Sequence, residues 1–188
     1  MPGAVKAVAF GAQITGKKRD NMAFSPFASE EIHSITDLKP EWFRQRGIRL
    51  MLLDFDNTIV PYTTGEPTEA FTSWLRETRA AGVTVMVVSN SRRSRRVPDF
   101  CDARGIPWIK KAGKPSPKGI LRAMEQQGVS ARETAMAGDQ TFTDVLAANL
   151  AGVTSVLVYP IAFSNPFLHI RYILEKPVIA AGRKRRKR

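Results

Sequence analysis

Residues 50–58 read Leu50-Met51-Leu52-Leu53-Asp54-Phe55-Asp56-Asn57-Thr58, four apolar residues running into two carboxylates separated by one residue. The apolar half reads as a strand, and a turn just after Asp54 lets both acids converge on one point. At the carboxyl end of a parallel strand, that point lies in the crevice where open sheets bind ligands. Two carboxylates so close repel each other unless a cation holds them or one keeps a proton. A hard cation recruits phosphate, and a retained proton makes a general acid. A strand-ending Asx turn without chemistry fits the same nine residues. The remainder of the chain has to decide between them.

Outward from this segment, strand and helix signals alternate. Ser34–Arg46 reads as a helix anchored by Trp42 and Phe43 and stopped at Gly47, followed by a strand over Ile48–Asp54. Thr68–Ala81 carries Phe71, Trp74 and Leu75 on one helical face, and Val83–Val88 is the continuous apolar run of a strand covered on both sides. Arg92–Arg104 is expected to be helical, with Pro98 kinking it or moving its start. Strands at Ile106–Ile109, Thr134–Ala137 and Val153–Tyr159 alternate with helices at Pro115–Gln127 and Phe142–Leu150. Helical crossovers of this kind imply parallel pairing with right-handed connections. The expected fold is a three-layer α/β/α, Rossmann-like domain with five strands over about residues 45–160. Residues 1–33 read as a loose N-terminal arm, 34–176 as the domain and 177–188 as a basic, disordered tail.

Composition narrows the classes. The 188 residues suit one domain with extensions, and an apolar share of 43% supports a sizeable core. No run of eighteen apolar residues occurs, so no spanning helix is expected. Lys6 interrupts the N-terminal apolar run before a secretory signal could form. The single cysteine, Cys101, fits a reducing compartment and a buried packing role. His33 and His169 lack partners at zinc-ligand spacing. The net charge is +12, but the run Arg183-Lys184-Arg185-Arg186-Lys187-Arg188 supplies half of it. Such a run is expected to repel itself, and it could meet anionic lipid or nucleic acid, or simply keep the chain soluble.

Three more polar clusters follow apolar runs. Ser89-Asn90-Ser91 offers a hydroxyl and helix-opening amides to a phosphate. Lys114-Pro115 supplies a cation, and Gly138-Asp139 through Asp144 brings further carboxylates to the same sheet edge. Each has an ordinary reading, with Ser89 or Asp139 capping a helix and Lys114 in solvent. Together they place acids, a hydroxyl and a lysine along one edge, in strand order.

In this order the sequence resembles the haloacid dehalogenase superfamily of phosphotransferases. Asp54-Phe55-Asp56-Asn57-Thr58 is similar to its D-x-D-x-T motif, Ser89 to the second motif, Lys114 to the third, and Gly138-Asp139 with Asp144 to the fourth. The resemblance spans roughly residues 35–160. It implies Asp54 as a nucleophile forming an aspartyl-phosphate, and Asp56 as acid and then base. It implies Mg²⁺ held by Asp54, the Asp56 backbone carbonyl and Asp139, with Ser89 and the amides near Asn90 gripping the phosphoryl oxygens. Lys114 would keep Asp54 ionised, Thr58 would brace the turn, and Asp144 would support the lysine or a metal-bound water. Lys118 is the rival for the Lys114 role, one helical turn further on. The intervals Thr58–Ser89 and Ser89–Lys114 are too short for the cap domains that select substrates in this superfamily, so an open site is expected.

The Gly-Asp-Gln…Thr-Asp-Val pattern and the Ile35…Gly47-Ile48 lead-in resemble the YqeG-like branch of subclass IIIA, related to phosphatidylglycerophosphate phosphatases. That resemblance implies a lipid-anchored phosphomonoester and a cytoplasmic protein, peripheral at the inner membrane face. Arg92, Arg93, Arg95 and Arg96 oppose the macrodipole of the expected helix, a placement that fits attraction of a polyanionic substrate or membrane. Phe163, Pro166, Phe167, Ile170, Ile173 and Leu174 form a partly amphipathic stretch, read as core packing with membrane docking as the second reading. The competing readings are a phosphatase for a soluble phosphate and a non-catalytic nucleic-acid factor. Against the latter, no aromatic-basic RNA-recognition motif is present.

Overall fold

The computed structural model describes residues 24–61, 63, 65–91, 95–163 and 166–186, with backbone alone at Phe167. Among the described residues, six parallel strands form one sheet in the order β1-β6-β5-β2-β3-β4. They are β1 (Glu30–Ile32), β2 (Leu50–Leu53), β3 (Thr84–Ser89), β4 (Trp108–Lys110), β5 (Thr134–Gly138) and β6 (Thr154–Val158). The segment that decides the fold is central. Leu50–Leu53 pairs with Thr84–Val87 on one side and Thr134–Ala137 on the other. Alternate residues of β2 enter two separate cores. Met51 and Leu53 pack with Val85, Val87, Phe43, Phe71, Trp74 and Phe100, whereas Leu50 and Leu52 pack with Met86, Val88, Ile120, Ala147 and Ala148. Helices cover both faces, which is why these strands are apolar throughout rather than alternating. The three-layer α/β/α class is as the sequence implies, and no cap domain interrupts it.

The chain runs from β2 outward through β3 and β4, then returns across β2 to β5. The connections diverge between β2 and β5, and this switch point places the carboxyl ends of both strands at the mouth of one crevice.

Local structure departs from expectation at several element ends. The helix expected over Ser34–Arg46 is a 3-10 turn at Ile35–Asp37 capped by Ser34, followed by α1 (Pro40–Arg46). Pro40 disfavours helical geometry at Lys39 and restarts the helix as its first residue. The helix expected over Thr68–Ala81 is α2 (Glu69–Ala80), with Thr68 as its cap. The helix expected from Arg92 is α3 (Arg96–Asp102), with Pro98 in its first turn, where a missing N–H costs nothing. Arg92 and Arg93 lie outside the described residues. The next helix, α4 (Lys118–Gln127), opens after Pro115 and Pro117 rather than at Pro115. Before α5 (Leu146–Ala151), residues Thr141–Val145 form a turn of π-helix.

Two larger differences concern the ends. Glu30–Ile32, read as part of a loose arm, is the sixth strand, its three residues paired with Val156–Val158. It is short, half-buried and carries two glutamates, so no alternation marks it. Residues 1–23, the rest of that arm, lie outside the described residues. The basic tail read as disordered from residue 177 is helical as far as Arg186, within α6 (Pro166–Arg186). Arg183 and Arg186 both reach Glu31, so a partner distant in sequence offsets part of the like-charge repulsion.

Candidate active site

The site begins with the turn that ends β2. Asn57 adopts φ 65°, a left-handed conformation that asparagine tolerates better than most residues, and its N–H donates to Val60 O at 2.7 Å. Its side chain donates to Ala162 O at 2.8 Å, tying the turn to the loop after β6. This tight return carries the chain away from the edge while Asp54, held by its N–H to Ala137 O at 2.8 Å, stays at the crevice floor. Asp54 is buried and Asp56 half-buried, where it pairs with Arg96. Thr58 is buried, but its hydroxyl has no hydrogen-bond partner among the described residues. Its expected bracing role therefore finds no hydrogen bond to act through.

Lys114 arrives from the loop after β4. Asn90, just past β3, grips its backbone at both groups, donating to Lys114 O at 2.8 Å and accepting from Lys114 N–H at 2.9 Å. So held, the ammonium lies 2.6 Å from Asp54 Oδ1 and 2.6 Å from Asp144 Oδ1. Burial alone would push the lysine pKa down. The Asp144 and Asp54 carboxylates outweigh it and raise the pKa, so Lys114 stays charged. Lys118, the rival, is exposed on α4. Ser89 is buried at the end of β3, and its Oγ accepts from Ser91 N–H at 3.0 Å.

Gly138 and the π-helical turn assemble the opposite wall. In that turn Gln140 O accepts from both Asp144 N–H and Val145 N–H, and Asp144 Oδ2 accepts from Gln140 N–H at 3.1 Å. The extra residue in the turn brings Asp144 back over Gly138, where any Cβ would collide with its carboxylate. Oxygens of Asp54, Asp139 and Asp144 thereby lie within 4.8 Å of one another. The side-chain cluster thus includes Asp144, expected only in support. The Asp56 side chain stays apart with Arg96, and the contribution expected of Asp56 there was its backbone carbonyl.

Electrostatics fit this cluster to a divalent cation. Burial, together with neighbouring Asp144 and Asp54, pushes the Asp139 pKa up against the opposing pull of Arg171. Burial also raises Asp144, although Lys114 opposes it. Three buried carboxylates set against the Lys114 ammonium and the Arg171 guanidinium leave a formal excess of one negative charge. Asp139 Oδ1 is buried without a hydrogen-bond partner among the described residues. Hard carboxylate oxygens in this grouping suit a cation that prefers oxygen ligands.

Three residues near the site had not been singled out for these contacts. Arg171, on α6, donates to Asp139 Oδ2 at 2.8 Å. Glu175, one turn on, is buried and accepts from Thr141 N–H at 3.2 Å, its pKa raised chiefly by burial. No strand-end signal marks either residue, because both come from the helix that folds back across β5 and β6. Arg96 belonged to the noted arginine cluster. It bonds Asp56 and Pro61 O and lies over the Phe55 ring, 5.0 Å from its centroid. Arg95 is instead exposed and paired with Asp99. Cys101 is buried, and burial pushes its thiol up to about 12, consistent with packing rather than chemistry.

Comparison with known proteins agrees with this arrangement. The HAD-hydrolase-like family pattern matches residues 111–159, from the Lys114 loop through β6. The probable phosphatase YqeG of Bacillus subtilis is 34% identical over 139 residues, covering 74% of this chain and 80% of that one. Among solved structures, an uncharacterized protein from Listeria monocytogenes serotype 4b superposes with a TM-score of 0.50 at 14% identity, over 69% of this chain and 99% of that one. The cobalt-bound deoxy-D-mannose-octulosonate 8-phosphate phosphatase of Haemophilus influenzae gives a TM-score of 0.49 at 17% identity, over 67% and 75%. With acids, lysine and serine in motif order on a capless parallel sheet, and a curated relative aligned over most of both chains, this chain belongs to the haloacid dehalogenase superfamily of phosphatases, in its YqeG-like branch.

Proposed function

We propose that this phosphatase is Mg²⁺-dependent, forms an aspartyl-phosphate on Asp54, and hydrolyses phosphatidylglycerophosphate. The observation that carries the chemistry is Lys114 Nζ, 2.6 Å from both Asp54 and Asp144, beside an oxygen of Asp139 that has no hydrogen-bond partner among the described residues. An Asp54 oxygen attacks phosphorus as the bond to the ester oxygen breaks, and Asp56 gives its proton to the departing alkoxide. Asp56 then takes a proton from water, whose oxygen attacks phosphorus, releasing inorganic phosphate and restoring Asp54. Arg96 positions the Asp56 carboxylate and favours its ionised form, which suits the second transfer, where Asp56 is the base. Lys114 keeps Asp54 ionised, and Ser89 Oγ with the amides near Asn90 holds the phosphoryl oxygens. Asp54, the Asp56 carbonyl and Asp139 would hold the metal, with Asp144 beside them. Bound there, the metal supplies positive charge against repulsion between phosphate and acids.

The lipid reading is supported by the open edge. Among the described residues, only α2 and β3 lie between Thr58 and Ser89, and only α3 and β4 between Ser89 and Lys114. A substrate whose bulk stays outside the crevice suits such a site. The test measures phosphate release from phosphatidylglycerophosphate in detergent micelles, beside sugar, nucleotide and peptide phosphomonoesters. Magnesium should support release and excess chelator abolish it. Asp54→Asn should lower turnover at least about a thousandfold, and Asp56→Asn should slow it while phosphate still binds. Full activity of Asp54→Asn would refute the mechanism. Faster turnover of a soluble ester than of the lipid would refute the substrate and leave the mechanism standing.

A further inference from the structure

We infer that the outward face of α6 is a docking surface for an anionic lipid bilayer, with Ile170, Ile173 and Leu174 as its apolar contact. This deepens the lipid-phosphate reading and rests on it. The inner face of α6 is fixed by specific bonds. Arg171 holds Asp139, Glu175 accepts from Thr141 N–H, and Arg183 and Arg186 grip Glu31, while Leu168 and Gly182 are buried. The opposite face therefore has a defined orientation rather than being free to roll inward. On that face Ile170, Ile173 and Leu174, spaced i, i+3, i+4, are 56%, 46% and 68% exposed.

The charge around this stripe selects its occupant. The only acid in Pro166–Arg186 is Glu175, which is buried on the inner side. Lys176, Lys184 and Arg185 are exposed, and the sequence continues with Lys187 and Arg188. An apolar stripe with a basic, acid-free flank is the pattern of a helix lying in a membrane interface with anionic headgroups. A second copy of this face would set like charges against each other, which disfavours self-association. No helix among the described residues is long and apolar enough to cross a membrane, so the contact is peripheral. Arg171, on the inner face of the same helix, bonds Asp139, so the helix that docks is also one that contacts the acid cluster.

The test uses the full chain and vesicles of phosphatidylcholine with or without phosphatidylglycerol, neither of which carries a phosphomonoester. Binding is thus read without catalysis, and failure of the substrate reading leaves it interpretable. The protein should sediment with phosphatidylglycerol vesicles and not with pure phosphatidylcholine, and less as salt rises. The triple variant Ile170→Ser, Ile173→Ser, Leu174→Ser should lose at least about tenfold in partition. The variant Lys184→Gln, Arg185→Gln should lose several-fold, with hydrolysis of a soluble ester unchanged in both. Undiminished partition of the triple variant overturns the inference. Loss of soluble-ester hydrolysis with an earlier thermal melt overturns it too, by showing that the stripe packs inward. So does a wild-type dimer, seen by light scattering, that the triple variant converts to monomer.

Discussion

Lys114 and Glu31 are mirror images in charge. One is a cation between two carboxylates, 2% exposed in its side chain, and the other an anion between two guanidiniums, with the Arg183 side chain 61% exposed. The same kind of pairing does different work because one pair is buried and the other is not. In the crevice little solvent can replace a lost partner, so each group commits its neighbours. At the edge of β1, water and salt compete for every charge, and the pair orients α6 more than it stabilises the fold.

The sharpest way to break this comparison is Lys114→Met. Leaving the carboxylates of Asp54 and Asp144 without their cation should cost about 3–5 kcal/mol in urea unfolding measured without magnesium. A cost no greater than that of removing Glu31 would mean that burial does not separate the two regions. Gly138→Ala sharpens it without altering any charge. The new methyl meets the Asp144 carboxylate, so an overpacking cost of about 1–3 kcal/mol is expected, with turnover reduced because Asp144 is displaced from Lys114. The smallest effect belongs to Glu31→Gln, about 1 kcal/mol or less in thermal melts. Its signature is in pH. The Arg183 hydrogen bonds, opposed by burial and helped by the charges of Arg183 and Arg186, hold the Glu31 carboxyl below 4.5. Its contribution is therefore complete above the unfolded value and lost as pH falls below it. Melts of wild type and Glu31→Gln should differ at pH 6 and converge towards pH 3.

The strand-end acids were legible because each lies a step or two beyond an apolar run. Asp54 follows Leu50–Leu53, and Asp139 follows Thr134–Gly138 by a single residue. A parallel sheet brings all such ends to one edge, so residues far apart in sequence need no other signal to be placed together. Lys114 is favoured over Lys118 by the Lys-Pro pattern of the resemblance, whereas the Asn90 clamp that holds it is contact across 24 residues and leaves no mark in the sequence. Asp144, expected in support of Lys114 or a metal-bound water, lies close to Asp54 and Asp139 because the π-helical turn redirects it, whereas a regular helix after Gln140 would direct it elsewhere. Glu30–Ile32 escaped notice because an edge strand needs only backbone partners, which β6 supplies. Pro40, Pro98 and Pro117 each lie at or near a helix start, but those starts fall several residues beyond the expected ones. A lone proline marks a boundary without saying which side of it continues the helix.

By itself, the order of apolar runs and polar ends determined the parallel α/β/α class, the absence of a cap and the residue types of the crevice. Those properties depend on local periodicity and on the fixed direction of crossover connections, both written along the chain. Only the tertiary structure decided that Arg96 takes Asp56, that Arg171 takes Asp139, and that the basic C-terminal segment is a docked helix instead of a loose polycation. A charge selects its partner by distance and by how little water intervenes, and neither quantity exists until the chain has folded.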